Sequence, residues 1–503
     1  MAVAVSSWFT MVAAIYFQMT ADSKDTFSIY KAEFGFGWFE IQLLWAARNL
    51  GASLGFLTDL LYSKLTNVEG NARKNLRVCI VYLIGAAFLA VGYLLVRWFI
   101  GDKEPGFHVI LFFAMVIAGQ GQNVVTTANL MVFAVHFPNN GAAVGIIQAY
   151  SSFGSYVFIL LNDVFFKGSP RMLLVSMAVL PAIISIFFAA GLAFSNWRNN
   201  QELNSDGYLL KSFGWCGVFA AFWITVMKGV NFPNQNVAAA GGTQLDTIAT
   251  VAAGPNPTSG DPVASTQNTA TGDDAPIRYP IRERILILVP EAMNICYLLL
   301  LFAAGSSLGT YMVVSQHIDI FSKPYGYSKT SNKNLVSIWS GLNFIGNICG
   351  GLLSDRICKR FGYSRVWVIA CSQILMIIGN FVCAFAPTLL YGMVLLAFAS
   401  GVVGGVVPNI VCELFGIENF RTNYNNIRVV AAIVAFGLKF IAKSEKASVQ
   451  NCHGNKCFQA LFIISAVVCL GSMIVAVVMI YINNENQQGE EGTGETGGTT
   501  DAS

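Results

Sequence analysis

Charge is what this chain has least of. Of its 503 residues, 11% are Asp, Glu, Lys or Arg and 55% are apolar, whereas soluble domains carry about 25% charged residues. That shortage excludes an ordinary water-soluble globule and points to helices surrounded by hydrocarbon. The net charge of +3 gives no footing for nucleic acid as a partner. Histidine is scarce too, with four in the chain, which excludes a soft multi-histidine metal site. No His-Glu-x-x-His is present, and the stretch GQGQNV at 119–124 has Val124 where a dinucleotide loop needs its third Gly. No nucleophile elbow is recognised, so the chain is read as a non-enzyme without a cofactor. Eleven cysteines, mostly alone in apolar runs, read as small hydrophobes.

What the chain has instead is long apolar blocks. About 20 such residues cross the hydrocarbon core at 1.5 Å each. This predicts spans at 5–30, 37–63, 77–100, 107–134, 141–166 and 171–195, then at 289–316, 333–356, 364–386, 388–412, 424–442 and 457–482. Residues 8–19 could serve as a signal-peptide core. No Lys or Arg precedes them, the first cation being Lys24, so they are read as part of the first span. The expectation is an all-α membrane protein with one bundle in 1–200 and another in 286–483. A linker at 201–285 and a disordered acidic tail at 484–503 complete it. Within the linker, 231–276 is rich in Gly, Ala, Thr, Asn and Pro and cannot bury enough apolar surface to order itself. The short apolar stretch 212–227, between Lys211 and Lys228, stays open: it lies along the interface, dips in, or pairs with another crossing.

The two halves repeat a signal. GFLTDLLYSK ends the second span and GLLSDRICKR the eighth, giving Gly55, Leu57 and Asp59 in one half and Gly351, Leu353 and Asp355 in the other. Gly allows two helices to approach closely. An Asp at a helix end can accept from a neighbouring helix N-terminus or pair with Arg. Such contacts would hold one side shut; the plainer alternative is a charged helix end. Lys and Arg crowd both loops, which places both in the cytoplasm.

This repeat resembles the loop motif of the major facilitator superfamily, Gly-x-Leu-x-Asp-Arg followed by basic residues. The second copy is the fuller one, with Arg356, Lys359 and Arg360; the first has Leu60 in place of the Arg. The stretches 48–63, 120–153, 336–355 and 412–425 are similar in turn to the nodulin-like family, with Asn140 and Arg421 as departures from its pattern. The resemblance implies the major facilitator fold, two pseudo-symmetric six-helix bundles with the 212–227 segment between them. It also implies alternating-access transport, with the first, fourth, seventh and tenth helices lining the path. CHGNKCF at 452–458 is similar to the family's C-x-G-x-x-C-F. Loop parity puts Cys452 and Cys457 outside the cytoplasm, where a disulfide persists; a metal clip with His453 and free thiols remain as alternatives.

Polar residues at membrane depth are costly and are functional candidates. They are Asp22, Lys24 and Asp25 on the first span, Arg48 on the second, and Gln120, Gln122 and Asn123 on the fourth. Gln148, Glu291, Asn294, Gln316, His317, Asp319, Asn343, Asn347 and Arg428 follow. Each has a plain counterpart as helix glue or a snorkelling end. On a helix, Gln18, Asp22, Asp25 and Thr26 share one stripe, with Lys24 pointing away. A first helix that runs on to Tyr30 would set both carboxylates on the path, suiting proton or cation coupling; one that stops near Ala21 would leave them in water. The favoured expectation is a proton-coupled carrier of a small organic anion, monocarboxylate-like, with Arg48 and Lys24 as anion partners. A metal-cation carrier using Asp22, Asp25 and His317 is the alternative, and a non-transporting sensor is another. The chain is expected to be a monomer in the lipid bilayer, in the plasma membrane before an internal organelle.

Overall fold

The computed structural model describes residues 12, 14–21, 38–54, 71–99, 107–136, 141–166, 169–194, 295–448 and 454–494. All regular structure among them is helical. The first half contains α1 (residues 14–21), α2 (Trp38–Ser53), α3 (Asn71–Phe99), α4 (Phe107–His136), α5 (Gly141–Phe165) and α6 (Pro170–Phe194). The second half begins with α7 (Ile295–Gln316), α8 (Lys329–Phe361) and α9 (Val366–Phe385). A helical run Leu389–Ser448 follows, broken at Gly416 (φ 70°, ψ 167°) into two apolar spans, α10 (Leu389–Gly416) and α11 (Asn419–Ile441). That left-handed backbone is why Gly stands at the centre of the ELFGIENF turn. The half ends with α12 (Gln459–Gly494). Asp22, Lys24, Asp25, Gly55, Asp59, Glu291, Asn294, Cys452 and the stretch 212–227 lie outside the described residues.

Local chemistry sets the ends of these helices. Ser328 caps α8, its hydroxyl accepting from the Ser331 N–H at 3.1 Å. Gly362 (φ 67°) closes the same helix, its N–H donating to the Cys358 carbonyl. α7 stops at His317, and a short helix Ile318–Ser322 with a 3-10 turn Lys323–Tyr325 leads on to α8. α12 continues to Gly494, beyond the expected bundle end at 483 and into the segment read as a disordered tail. The Asn, Glu and Gln run there carries no Pro, and Glu and Gln are good helix formers, so the apolar helix propagates into it.

Eight of the described helices are long and apolar enough to cross a membrane. Large apolar side chains stand outward on α3 (Leu94, Trp98), α6 (Ile186, Phe187), α9 (Phe381, Phe385) and α12 (Val467, Ile474), the surface that lipid would cover. Packing repeats between the halves: α3 lies against α4 and α6, and α9 against α12 and the α10–α11 run. The closest approaches also repeat. A Cβ at Gly51 or Gly119 would collide with backbone across the α2–α4 seam, at Val116 and Arg48. One at Gly346, Gly401 or Gly405 would do so across the α8–α10 seam, at Phe398, Asn343 and Asn347. Lipid tails are as apolar as Leu, so helices here gain by backbone closeness, which small residues permit.

Candidate transport path

The halves meet through buried polar pairs. At the basic end of α8, the Asp355 carboxylate accepts from the N–H groups of Gly141 (2.9 Å) and Ala142 (3.1 Å), the first residues of α5. It also takes the Arg365 guanidinium at 2.6 Å, and Arg365 reaches on to Glu413 of α10 at 2.9 Å. Burial works against the Arg365 charge, and Glu413 and Asp355 outweigh it, so the guanidinium holds its proton more firmly than usual. A Cβ at Gly141 would sit 2.7 Å from both Arg365 Nη1 and Asp355 Oδ1, so only Gly leaves room. One at Gly351 would meet the Gly141 carbonyl. Asn409 Nδ2 donates to that same carbonyl at 3.4 Å.

Deeper in, α11 takes over. Arg428 donates to Asn123 Oδ1 of α4 at 2.8 Å, and Gln148 of α5 donates to the Tyr424 hydroxyl at 2.8 Å, one turn earlier on α11. One turn along α5, the Ser152 hydroxyl donates to Asn343 Oδ1. Asn343 in turn donates to Ser400 Oγ (3.0 Å) and the Ala397 carbonyl (3.2 Å), while Asn347 donates to Ser152 Oγ at 3.3 Å. The Phe344 ring packs edge-on against Tyr150 and Phe153. Further along, the amides of Asn49 (α2) and Gln316 (α7) exchange hydrogen bonds at 3.3 and 3.4 Å. The Lys439 ammonium donates to Gln316 Oε1 at 3.1 Å.

The expected site residues divide on this geometry. Arg48, Gln120, Gln122 and Asn123 are buried in the first half. Asn123, Gln148 and Asn343 bridge the halves. His317 Nδ1 bonds the Val313 carbonyl at 2.9 Å, within its own helix end. Gln18 joins helices within one half: Asn129 donates to it at 2.8 Å, it donates to Thr126 at 3.4 Å, and Tyr82 completes the set through Asn129 at 2.7 Å. Arg356, Lys359 and Arg360 are exposed, and the cation that engages Asp355 is Arg365. Arg365, Glu413, Asn409 and Lys439 escaped the sequence reading; a charged residue beside a Gly-rich helix end is weak as a signal. Gly305-Ser306-Ser307-Leu308-Gly309 does have the spacing of a nucleophile elbow. Ser307 lies inside α7 and bonds the Ala303 carbonyl at 2.6 Å, away from the strand-to-helix turn that such chemistry needs. Among the described residues no cluster of three metal-ligating groups occurs. Cys457 is disulfide-bonded.

Two helical bundles that meet through buried amides and cations suit a membrane transporter. The sequence agrees: residues 7–240 match the Nodulin-like family, and residues 293–500 match the Major Facilitator Superfamily. The first half of the chain is thus similar to the Nodulin-like family and the second to the Major Facilitator Superfamily, and its long apolar helices are those of an integral multi-pass membrane protein. A solved variant of the Escherichia coli fucose:proton symporter FucP is 14% identical, with a TM-score of 0.51 over 94% of this chain and 98% of that one. A double-Trp mutant of XylE is 13% identical, with a TM-score of 0.55 over 95% and 96%. At such identity these likenesses show the fold alone. YhjX, an uncharacterized MFS-type transporter of Escherichia coli (strain K12), is 30% identical over 134 residues, 26% of this chain. That match spans about a third of YhjX, 32% of its length.

Proposed function

We propose that this transporter moves a small organic anion together with a proton by alternating access, the bundles in 1–200 and 286–483 rocking about the path. The observation that supports this is Arg428. Its guanidinium is buried at 9% exposure, at the seam between halves, and its side-chain partner among the described residues is the neutral Asn123 amide rather than a carboxylate. A cation held by an amide keeps its charge available to an incoming anion, which supplies the missing counter-charge. Arg48 is buried as well, at 2% exposure. The Asp355–Arg365–Glu413 cluster is the gate that holds the basic end shut in this state. The protein acts as a monomer in the plasma membrane, which imaging of a tagged chain tests; label confined to internal membranes would reject that location.

The substrate test is uptake into proteoliposomes under an inward proton gradient, with labelled lactate, pyruvate, fucose and ferrous iron offered in parallel. Lactate or pyruvate uptake that collapses with the gradient and is lost in Arg428→Ala is the expected result. Uptake of fucose alone would replace the anion by a neutral sugar, the cargo named for FucP. Iron flux lost in Asp22→Asn and kept in Arg428→Ala would establish the cation alternative instead.

A further inference from the structure

One buried cation has no part in the anion reading so far. Lys439 on α11 is 7% exposed. Its ammonium carries three N–H donors; among the described residues one is used, on the neutral Gln316 Oε1 at 3.1 Å. Burying an ammonium with a single neutral acceptor is unfavourable unless an anion completes the shell. Gln316 is itself shared across the halves, through its paired amide with Asn49. Arg428 and Lys439 are about three helical turns, or ~16 Å, apart on α11, so they lie on one face. That face meets the first half at both levels, through Asn123 and through the Gln316–Asn49 pair. α11 starts on the side where α8 ends in its basic residues, so Lys439 is the station nearer the opposite side.

We propose that Lys439, Gln316 and Asn49 form an outer anion station, which receives the substrate's carboxylate before it reaches Arg428. The carboxylate takes the two spare ammonium N–H groups and the N–H₂ groups of both Gln316 and Asn49. It must displace the Asn49–Gln316 pair to do so, which ties anion arrival to loosening of the seam on that side. This station rests on the anion reading above.

The test is lactate uptake by the full chain in proteoliposomes, with lactate offered from the side away from the basic loops. The half-saturation concentration is compared for wild type, Lys439→Gln and Lys439→Arg. Loss of a hydrogen bond to a charged group corresponds to about a tenfold to hundredfold change. Lys439→Gln is therefore expected to raise half-saturation at least about tenfold with little change in maximal rate, and Lys439→Arg to stay near wild type. An unchanged value in Lys439→Gln, while wild type carries lactate, overturns the station and leaves the anion reading standing. A wild-type protein that carries no carboxylate overturns both. Should Lys439→Gln not be recovered folded, Asn49→Ala serves, since it removes an amide donor and keeps the charge; an unchanged half-saturation there overturns the station too.

Discussion

Replacing Asp355 by Ala should unlatch the basic end of the transporter. Asp355 accepts two N–H groups from the start of α5 and one guanidinium N–H from Arg365. Only the two bonds to Gly141 and Ala142 cross between halves and are lost when that end opens. Hydrogen bonds to a charged group contribute about 1.5–3 kcal/mol each, and a carboxylate at a helix N-terminus adds about 0.3–1 kcal/mol. Water recovers part of this in the open state, so a differential of ~3 kcal/mol is a fair working value, or about a hundredfold in the closed-to-open ratio. A native reporter stands beside the latch: Cys412 is a free, half-buried thiol next to Glu413 and near enough to Arg365 to feel its charge. A water-soluble maleimide should alkylate Cys412 up to about a hundredfold faster in Asp355→Ala. Peptide mass spectrometry reads that site apart from the other cysteines. Asp355→Asn, which keeps an acceptor without the charge, should fall between. A folded, monodisperse Asp355→Ala protein whose Cys412 reacts within twofold of wild type would refute the latch.

Other outcomes follow from the same contacts. Gly401→Ala should lower thermal stability by about 1–3 kcal/mol, because the methyl group meets the Asn343 backbone, whereas Gly437→Ala meets nothing within 4 Å and should raise it by up to ~1 kcal/mol; melting curves in detergent decide both. Asn343→Ala removes the acceptor of Ser152 and the donor to Ser400 and should cost about 1–3 kcal/mol, seen as a lower melting temperature. Arg365→Lys loses the planar fork that spans Asp355 and Glu413 but leaves both crossing bonds to Gly141 and Ala142, so its labelling increase should stay well below that of Asp355→Ala. A peptide map without reductant should show Cys457 linked to Cys452, and a Cys457 peptide linked elsewhere would reject that pairing.

Much of the architecture was legible in the residues because hydrocarbon leaves the backbone little choice. Where no water can satisfy an N–H or C=O, an apolar block of about 20 residues must be helical, and the described helices fall on the predicted blocks. The duplicated Gly-x-Leu-x-Asp placed Asp355 at a helix end and anticipated both kinds of partner it takes, a helix N-terminus and an Arg. The Gly seams were readable in principle as Gly346-x-x-x-Gly350 and Gly401-x-x-x-Gly405. Which Arg would engage Asp355 was not readable: Arg356, Lys359 and Arg360 follow it directly, but a helix turns them outward, and Arg365 returns from the start of α9. Lys439 carries no signal in the sequence; its surroundings come from α7, where Gln316 accepts from its ammonium and pairs in turn with Asn49 of α2.

The sequence by itself therefore determined class, the positions of the described spans and the family resemblance, because each depends on local composition and short spacing. Tertiary structure alone decided which polar residues glue one half together, as Gln18 does with Asn129, and which bridge the halves, as Asn123 does with Arg428. The physical reason is that a buried amide or cation takes its meaning from its partner, and in this chain the partner stands 111 residues away in one case and 305 in the other.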